Sequence, residues 1–218
     1  MPTQIALALY PDLTLLDVIG PYQVLTLVPD IEVVVCAAER GRLSDDNGLI
    51  HLDVEHTFDD VPSPDVLLVG GGFGTRALMH AGTPIVEWIR AADASTTWTT
   101  SVCTGSLLLG AAGLLEGRRA TTPWLYTDLL EGFGAPYAED RIVADGKYLT
   151  GAGVSAGIDL ALTLTATLAG DDIARAVQLG IEYDPQPPFD AGSPSKAGPE
   201  LVELVGAVSD MAEAQRTA

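Results

Sequence analysis

The first half of the chain alternates short apolar runs with longer segments of helical periodicity. Aliphatic and β-branched residues concentrate in four runs of strand length, and amphipathic patterns separate or follow them. Strands that alternate with helices build parallel sheets covered by helices on both faces, so this order predicts an α/β fold with a mostly parallel sheet. The predicted strands are residues 4–9, 31–37, 66–69 and 97–102, and the predicted helices lie near 20–28, 84–94 and 104–115.

The remaining segments are less regular. Residues 49–57 form a short extended pattern, which fits either a hairpin or an added edge strand. The dipeptide at 145–146, Asp-Gly, is a tight-turn signal between extended runs. We therefore predict further strands at 118–122 and 141–149, followed by helices at 154–168 and 171–182.

Prolines dominate the segment after the last of these helices. Residues 184–194 contain four prolines, which lack an amide donor and restrict the residue before them. We predict that this segment crosses the surface as an extended strap and that a final helix begins near residue 198. Because composition does not change along the chain, we interpret residues 1–218 as a single domain.

Composition and charge narrow the class of protein. Hydrophobic residues make up 47% of the chain, but its longest apolar runs, such as 107–115, are shorter than a membrane span. The N-terminus lacks the pattern of a signal peptide, so we expect a soluble, cytoplasmic protein without membrane contact. The net charge of −19 and the absence of any Lys/Arg cluster argue against nucleic-acid binding.

The two cysteines have different surroundings. Cys36 ends an apolar strand pattern and is interpreted as a core residue. Cys103 lies between an extended run and a helical run, and a side chain at such a strand-to-helix turn is exposed to the N–H groups of the new helix. A helix N-terminus favours thiolate over thiol. A small buried cysteine is the commoner situation in proteins, but the turn context favours a nucleophile at Cys103.

Three segments are expected to meet beyond the carboxyl ends of the parallel strands, where ligands bind in such sheets: the residues around Asp17, the run Gly70 to Gly74, and the Cys103 turn. Asp17 has apolar neighbours, so its carboxyl is either functional, with a raised pKa, or a cap for a helix beginning near Gly20. The glycine run fits an anion cradle built from backbone N–H groups, although it lacks the order of nucleotide-binding loops.

Histidine and metal chemistry have little support in the sequence. The three histidines are His51, His56 and His80, and the residue after Cys103 is Thr104, so an adjacent Cys-His dyad is excluded. No group of His and Cys has the spacing of metal ligands. The sequence therefore indicates no zinc site.

Taken together, these motifs resemble the DJ-1/PfpI superfamily, and within it the isocyanide hydratases. The likeness extends over nearly the whole chain, and its more specific parts are the Cys-Thr pair and the proline-rich strap. The resemblance implies a flavodoxin-like three-layer sandwich of the class I glutamine amidotransferase kind, and a homodimer. The matching segments are residues 16–21, 70–74, 100–106, 109–115, 119–122, 157–164 and 191–194.

The resemblance also implies a reaction, the hydration of an isocyanide to an N-substituted formamide without a cofactor. Cys103 would attack the isocyanide carbon to give a covalent thioimidate, Asp17 would transfer protons and activate water, and Thr104 would offer a hydroxyl or N–H near the nucleophile. The residue types suit this chemistry, since a soft thiolate matches an electrophilic carbon. Binding of the substrate or an oxyanion would fall to Gly72, Phe73 and Val154.

The chain departs from the family pattern in two places. Pro123 stands where many relatives carry histidine after the paired threonines, and residues 151–155, which include Val154, are less glycine-rich than expected. Substrate range therefore does not transfer from the resemblance.

Other functions stay open at this point. A related hydrolase or a glyoxalase-like enzyme would use the same cysteine, whereas PfpI-type proteolysis is disfavoured because Thr104 occupies the histidine position. A non-enzymatic role as a ligand sensor is a further alternative, since related modules are fused to helix-turn-helix regulators. So is a redox-sensing role based on oxidation of Cys103.

Overall fold

The structure is a computed structural model that describes residues 2–217. Seven strands form the main sheet and two form a separate hairpin. The strands are β1 (Thr3–Ala8), β2 (Ile31–Ala37), β3 (Gly41–Ser44), β4 (His51–Val54), β5 (His56–Thr57), β6 (Val66–Val69), β7 (Trp98–Val102), β8 (Ile142–Asp145) and β9 (Tyr148–Gly151).

Nine α-helices lie within the described residues, together with single 3₁₀ turns at Phe58–Asp60 and Trp124–Tyr126. The helices are α1 (Leu15–Leu25), α2 (Thr75–Leu78), α3 (Pro84–Ala92), α4 (Gly105–Ala111), α5 (Thr127–Gly132), α6 (Ala156–Ala169), α7 (Asp171–Gly180), α8 (Pro194–Ala197) and α9 (Pro199–Thr217).

The main sheet has the order β5-β2-β1-β6-β7-β9-β8. All neighbouring pairs are parallel except the edge pair β8 and β9. The central strand β6 is buried at all four positions, as expected for a strand covered on both faces. The predicted mostly parallel α/β sheet is confirmed.

The chain winds in both directions from β1. It passes through α1 to β2 on one side, and later through α3 from β6 to β7 on the other side. Because crossovers between parallel strands are right-handed, opposite directions place α1 and α3 on opposite faces of the sheet. Helix α1 packs against α6, and α3 packs against α4. The carboxyl ends of β1 and β6 therefore form the switch point at which ligands bind in open sheets.

Several predicted boundaries change in the structure. Both structures predicted as alternatives for residues 49–57 are present. Strand β4 pairs with β3 as a hairpin, and β5 adds an edge strand beside β2. The strand predicted at 118–122 is wrong. Ala120 forms only an isolated bridge to Tyr137, and Ala120, Thr121 and Thr122 are buried in a loop. Helix α4 ends at Ala111 because Gly113, with φ of 79°, turns the chain.

The start of the first helix is also corrected. The pattern predicted a helix near 20–28 that begins around Gly20, yet α1 begins at Leu15 after Thr14, whose backbone is extended. Pro21 lies inside the helix. Asp17 therefore lies in the first turn of α1 and does not precede the helix as a cap.

The chain divides into two compact units, Met1–Ile181 and Glu182–Ala218. Residues 182–193 contain no helix or strand, and Pro194, predicted as the end of the proline-rich strap, is the first residue of a helix. The short helix α8 was not predicted; it begins with Pro194 in a position where a proline costs no helical hydrogen bond. The final helix begins at Pro199, close to the expected residue 198. In the part of the chain that the structure describes, no helix has the length and apolarity of a membrane span.

Candidate active site

Cys103 occupies the sharp turn between β7 and α4. Its backbone has φ of 59°, a left-handed conformation that is strained for a residue with a Cβ. The Cys103 N–H donates to Gly151 O (3.0 Å), and the Ser106 hydroxyl donates to Cys103 O (3.1 Å). Only 7% of the residue is exposed. These bonds hold the backbone of Cys103 in its left-handed conformation at the predicted strand-to-helix turn.

Asp17 is fully buried, and its carboxyl points at the glycine-rich turn after β6. Gly71 N–H donates to Asp17 Oδ2 (2.7 Å), Asp17 N–H donates to Thr14 O (3.1 Å), and Thr14 N–H donates to Gly71 O (2.9 Å). These three bonds close a ring between α1 and the turn. Of the two interpretations of Asp17, helix cap or functional carboxyl, this arrangement removes the first.

The glycine turn approaches the cysteine turn so closely that side chains would not fit between them. A Cβ on Gly71 would lie 2.5 Å from both the nitrogen and Oγ1 of Thr104, and 3.0 Å from the Cβ of Cys103. Gly72 N–H donates to Thr104 Oγ1 (3.0 Å), so this donor is bonded within the protein. The backbone of the glycine turn therefore holds Asp17 and Thr104 in place by hydrogen bonds.

A line of hydroxyl groups continues from Thr104 into the protein. Oγ1 of Thr104 lies 3.0 Å from Oγ1 of Thr75, which lies 3.0 Å from the hydroxyl of Tyr10. Tyr10 donates to Gly70 O (2.8 Å). Sequence reasoning missed Tyr10 and Thr75. Both come shortly after a buried strand, β1 and β6, and that position at the carboxyl edge was the signal that could have found them.

Burial is the largest influence on the pKa values of Asp17 and Cys103. It raises the pKa of Asp17 to about 7, against the hydrogen bond from Gly71 N–H, which lowers it. Burial also raises the pKa of the Cys103 thiol well above its usual value, and the neighbouring Asp17 charge adds to the increase. The Thr104 N–H works in the opposite direction. The carboxyl therefore loses its proton before the thiol does.

This order corrects the expectation that the helix N-terminus alone favours a thiolate. Helix α4 has only seven residues, and the cost of burying a charge next to a carboxylate exceeds the attraction of its N-terminus. Near neutral pH the pair holds its sulfur proton while Asp17 is close to half ionised. Such a pair can pass one proton between sulfur, carboxyl and a bound molecule.

A second carboxylate, Asp46, lies beside the pair. It follows β3, and its Oδ2 accepts a hydrogen bond from the Thr14 hydroxyl (2.7 Å), while its N–H donates to Leu13 O (3.0 Å). Its negative charge raises the pKa of Asp17 further. The sequence gives no periodic or motif signal for Asp46, because its role depends on contacts to Leu13 and Thr14, which are distant in sequence.

The other predicted site residues lie at the same edge of the sheet. Phe73 is half-buried within the glycine turn. Val154 is half-buried in the loop after β9, where it packs against the hydrophobic core and its carbonyl accepts from Gly157 N–H (3.3 Å). The structure thus joins Cys103, Asp17, Thr104 and Gly72 by direct interactions, and places Phe73 and Val154 around them.

The remaining candidates lie away from the site. His51, His56 and His80 are exposed. Cys36 is fully buried in β2, as predicted, and burial raises its pKa to about 12. Among residues 2–217, no three His, Cys, Asp or Glu side chains converge in a way that could hold a metal ion.

A parallel sheet with a cysteine at a strained turn after a central strand, next to a buried acid, characterises one known class of protein. Residues 3–167 match the DJ-1/PfpI family, and the chain belongs to it. It is 47% identical over 203 residues to isonitrile hydratase of Pseudomonas putida, which covers 93% of this chain and 88% of that protein.

Two further relatives show the range of the family. A crystal structure of a ThiJ/PfpI family protein from Pseudomonas syringae superposes with a TM-score of 0.88 at 37% identity, covering 98% of this chain and 90% of that one. The HTH-type transcriptional regulator CdhR of Pseudomonas aeruginosa is 32% identical over 149 residues, which are 66% of this chain but only 42% of the regulator. The fold is therefore shared by proteins with different roles.

Proposed function

We propose that this protein hydrates an isocyanide, R–N≡C, to the N-substituted formamide, with Cys103 as nucleophile and Asp17 as the group that moves protons. The observation that carries the proposal is the 47% identity to an isonitrile hydratase over nearly the whole chain. The coupled, buried pair of Cys103 and Asp17 supports it, because its chemistry fits each step of such a reaction.

In the first step, the sulfur and the proton of the Cys103 thiol both add to the terminal carbon of the isocyanide. The Cys103 sulfur forms a bond to that carbon, and the sulfur proton passes through Asp17 to the same carbon. The product is a covalent thioimidate, R–N=CH–S–Cys103, and no atom is lost. A carboxyl with a pKa of about 7 suits this transfer, because it accepts and returns a proton at nearly equal cost near neutral pH.

The second step consumes one water molecule. Asp17 as carboxylate takes a proton from water, the oxygen forms a bond to the thioimidate carbon, and the nitrogen is protonated. The resulting tetrahedral intermediate expels the Cys103 thiolate, the new C–O bond becomes a carbonyl, and the released proton returns to sulfur. The products are R–NH–CHO and the free thiol, so one carboxyl serves both halves of the cycle.

The other predicted residues take binding roles within this proposal. Thr104 offers its N–H to the sulfur, and Gly72 orients Thr104 through the bond to its hydroxyl. Phe73 and Val154, half-buried at the same edge, would contact the substituent R of the isocyanide. We also propose that the protein is a homodimer located in the cytoplasm.

The test is turnover by purified protein with cyclohexyl isocyanide and several aryl isocyanides, with the formamide quantified by liquid chromatography. We expect activity in the wild type, none in Cys103→Ala, and full activity in the matched control Cys36→Ala. Asp17→Asn should stop after the first step or before it, so intact mass spectrometry is used to look for the covalent adduct.

Two results would contradict the hydratase proposal. The first is full activity in Cys103→Ala. The second is no turnover of any isocyanide by folded wild-type protein, and this outcome would favour the sensing role suggested by the similarity to CdhR.

A further inference from the structure

Two cavities adjoin each other at the carboxyl ends of β1 and β2. The smaller one, of about 320 Å³, is lined by Leu9, which follows β1, and by Ala37, the last residue of β2. The larger one, of about 430 Å³, lies along α3. Ala38, Phe58 and Pro84 line both cavities, so the two form one cleft, which we call the β1–β2 cleft. Its size is that of a site for a small organic molecule.

The walls of the β1–β2 cleft are mostly apolar. Phe58 and Trp88 are buried and stack with their ring centres 4.7 Å apart. Trp88 donates its indole N–H to Val61 O (2.8 Å), so the ring offers no free donor to a ligand. Cys103 and Asp17 line neither cavity, so the cleft is a different site from the candidate active site.

Besides the indole, four polar side chains line the cleft, and two of them are bonded within the protein. The Tyr10 hydroxyl donates to Gly70 O (2.8 Å). The Glu87 carboxylate accepts from Gly82 N–H (3.0 Å) and pairs with Arg90 (2.7 Å). Neither group therefore lacks a partner.

The other two polar side chains are the carboxylates of Glu39 and Asp59, which are exposed and have no partner within residues 2–217. Arg40 follows Glu39 in the sequence but pairs with Asp60 (3.0 Å). Hydrogen bonds from Thr57, together with this pair, lower the pKa of Asp60 to about 2, so its charge balances that of Arg40 near neutral pH. In the described part of the chain, the cleft thus carries two negative charges without a counter-ion.

Two sources of positive charge near the cleft do not balance these carboxylates. The N-terminus of α3, where the peptide dipoles give a partial positive charge, already has Glu87 in its first turn. Arg42 precedes Leu43 in β3, and successive residues of a strand point to opposite faces. Because Leu43 lines the cleft, Arg42 points away from it. The charge that complements the cleft is therefore positive.

We propose that the β1–β2 cleft is a binding site for a small organic ammonium ion, whose apolar body packs against Phe58 and Ile85 and whose charge lies near Glu39 and Asp59. The net charge of −19 raises the concentration of cations at the surface. A neutral molecule of the same shape fits the same walls but leaves both carboxylates unpaired, and an anion is repelled. The site goes beyond the proposed hydration and does not depend on it, since Cys103 takes no part in binding.

The experiment follows the indole N–H signal of Trp88 in ¹⁵N-labelled protein by NMR while benzylammonium is added. The protein has three tryptophans, and the signal of Trp88 is the one that is missing in Trp88→Phe. We expect a saturable shift. Benzyl alcohol, which has the same ring and no charge, should bind about fivefold more weakly, because exposed ion pairs contribute modestly to affinity. High salt should reduce this preference.

Three variants test the roles of the charge and of the cleft. Glu39→Gln/Asp59→Asn should bind both probes equally, because only these carboxylates distinguish them. Glu32→Gln/Asp53→Asn is the matched control: it removes the same charge from two exposed positions that line neither cavity, and should keep the preference. Ala38→Phe fills the junction of the two cavities and should abolish binding of both probes.

The proposal is overturned if the Trp88 signal shows no saturable shift, or if benzyl alcohol or benzoate binds as tightly as benzylammonium. It is also overturned if Glu39→Gln/Asp59→Asn keeps the preference for the cation. Equal losses in the control double variant would assign the preference to the general field of an acidic protein and would count against the site. So would full binding in Ala38→Phe.

Circular dichroism establishes that each variant is folded. Should the double variant fail to fold, Glu39→Gln alone is expected to lose part of the preference, and an unchanged preference there overturns the proposal. Ala38→Leu takes the place of Ala38→Phe in the same way. Cys103→Ala should bind benzylammonium as the wild type does, whether or not the protein turns over an isocyanide. Weaker binding in Cys103→Ala would place the ligand at the candidate active site and contradict the proposal.

Discussion

Gly71 donates its backbone N–H to Oδ2 of Asp17 over 2.7 Å, across 54 positions of sequence. Gly71 also lies against Thr104, so close that no side chain would fit between them. One residue of the glycine turn therefore contacts both Asp17 and the Cys103 turn. The orientation of the buried carboxyl therefore depends on the backbone of another loop and not on a charged partner.

Replacing Gly71 by alanine should disrupt the site. The new Cβ would meet backbone and hydroxyl atoms of Thr104 at 2.5 Å, and neither can move without displacing Cys103. We expect a loss of stability of roughly 2 kcal/mol or more and little remaining activity. Urea denaturation and isocyanide turnover measure the two effects. Gly132→Ala, whose Cβ meets nothing within 4 Å, is the control and should change neither.

Asp17→Asn should stabilise the protein, and more so at high pH. The folded-state pKa of about 7 exceeds the ordinary value of 3.8, so folded protein holds the proton while unfolded protein releases it. The contribution of Asp17 to stability is thus full below pH about 4 and is lost as pH rises to about 7. At pH 8 the variant should gain on the order of 4 kcal/mol, since the pKa shift from 3.8 to about 7 is worth about 1.4 kcal/mol per unit.

The measurement for Asp17→Asn is chemical denaturation of wild type and variant at pH 5 and pH 8. Other carboxyl groups affect both proteins equally, so only the difference between the two curves is compared. A gain that is the same at both pH values would contradict the raised pKa and would assign the effect to packing.

Asp46→Asn should move the pH profile toward lower pH. Loss of the negative charge removes an influence that raises the pKa of Asp17, while the amide oxygen can still accept from Thr14. Because Asp46 is half-buried, the expected shift is well under one unit. The profile is measured for turnover and for Cys103 alkylation. Asp53→Asn, an exposed change in the same hairpin, should leave both profiles in place; a shift of equal size there would point to general charge effects.

Asp93→Ala should weaken the fold away from the site. The Asp93 carboxylate accepts from the hydroxyls of Thr99 (2.6 Å) and Tyr148 (3.2 Å) and pairs with Lys147 (3.0 Å). Removing it leaves these partly buried partners unsatisfied, at a cost of about 2–3 kcal/mol in urea denaturation.

The matched control for Asp93→Ala is Asp140→Ala, which breaks the exposed pair with Arg119 and should cost less than about 0.5 kcal/mol. Equal losses in both variants would show that burial does not set the cost. Turnover per folded molecule should be unchanged in either variant.

The local sequence pattern is sufficient for three strands of the core because each is a short run of mostly aliphatic or β-branched residues. The segments predicted at 31–37, 66–69 and 97–102 match β2, β6 and β7 within a residue at either end. Prediction from the local pattern fails where the same residues fit both the start and the interior of a helix. Gly20 and Pro21 look like a helix start, yet both lie within α1, where Gly20 lies against Ile158 of α6.

The sequence could identify some residues of the candidate site, but not the contacts between them. Asp17 could be found because its sequence neighbours are apolar, and Cys103 because it lies between an extended run and a helical run. Asp46 could not, since an aspartate in a loop is common. Its importance comes from the contact to Thr14, which exists only after distant loops have met.

The hydrogen bonds that build the site join residues far apart in the sequence. Gly71 to Asp17 spans 54 positions, Gly72 to Thr104 spans 32, and Tyr10 to Gly70 spans 60. They join segments that follow β1, β6 and β7, so we expect them to form only after these strands have paired. Recovery of thiol reactivity during refolding should therefore trail the recovery of helical signal, and an intermediate with most of its secondary structure would still contain an ordinary cysteine.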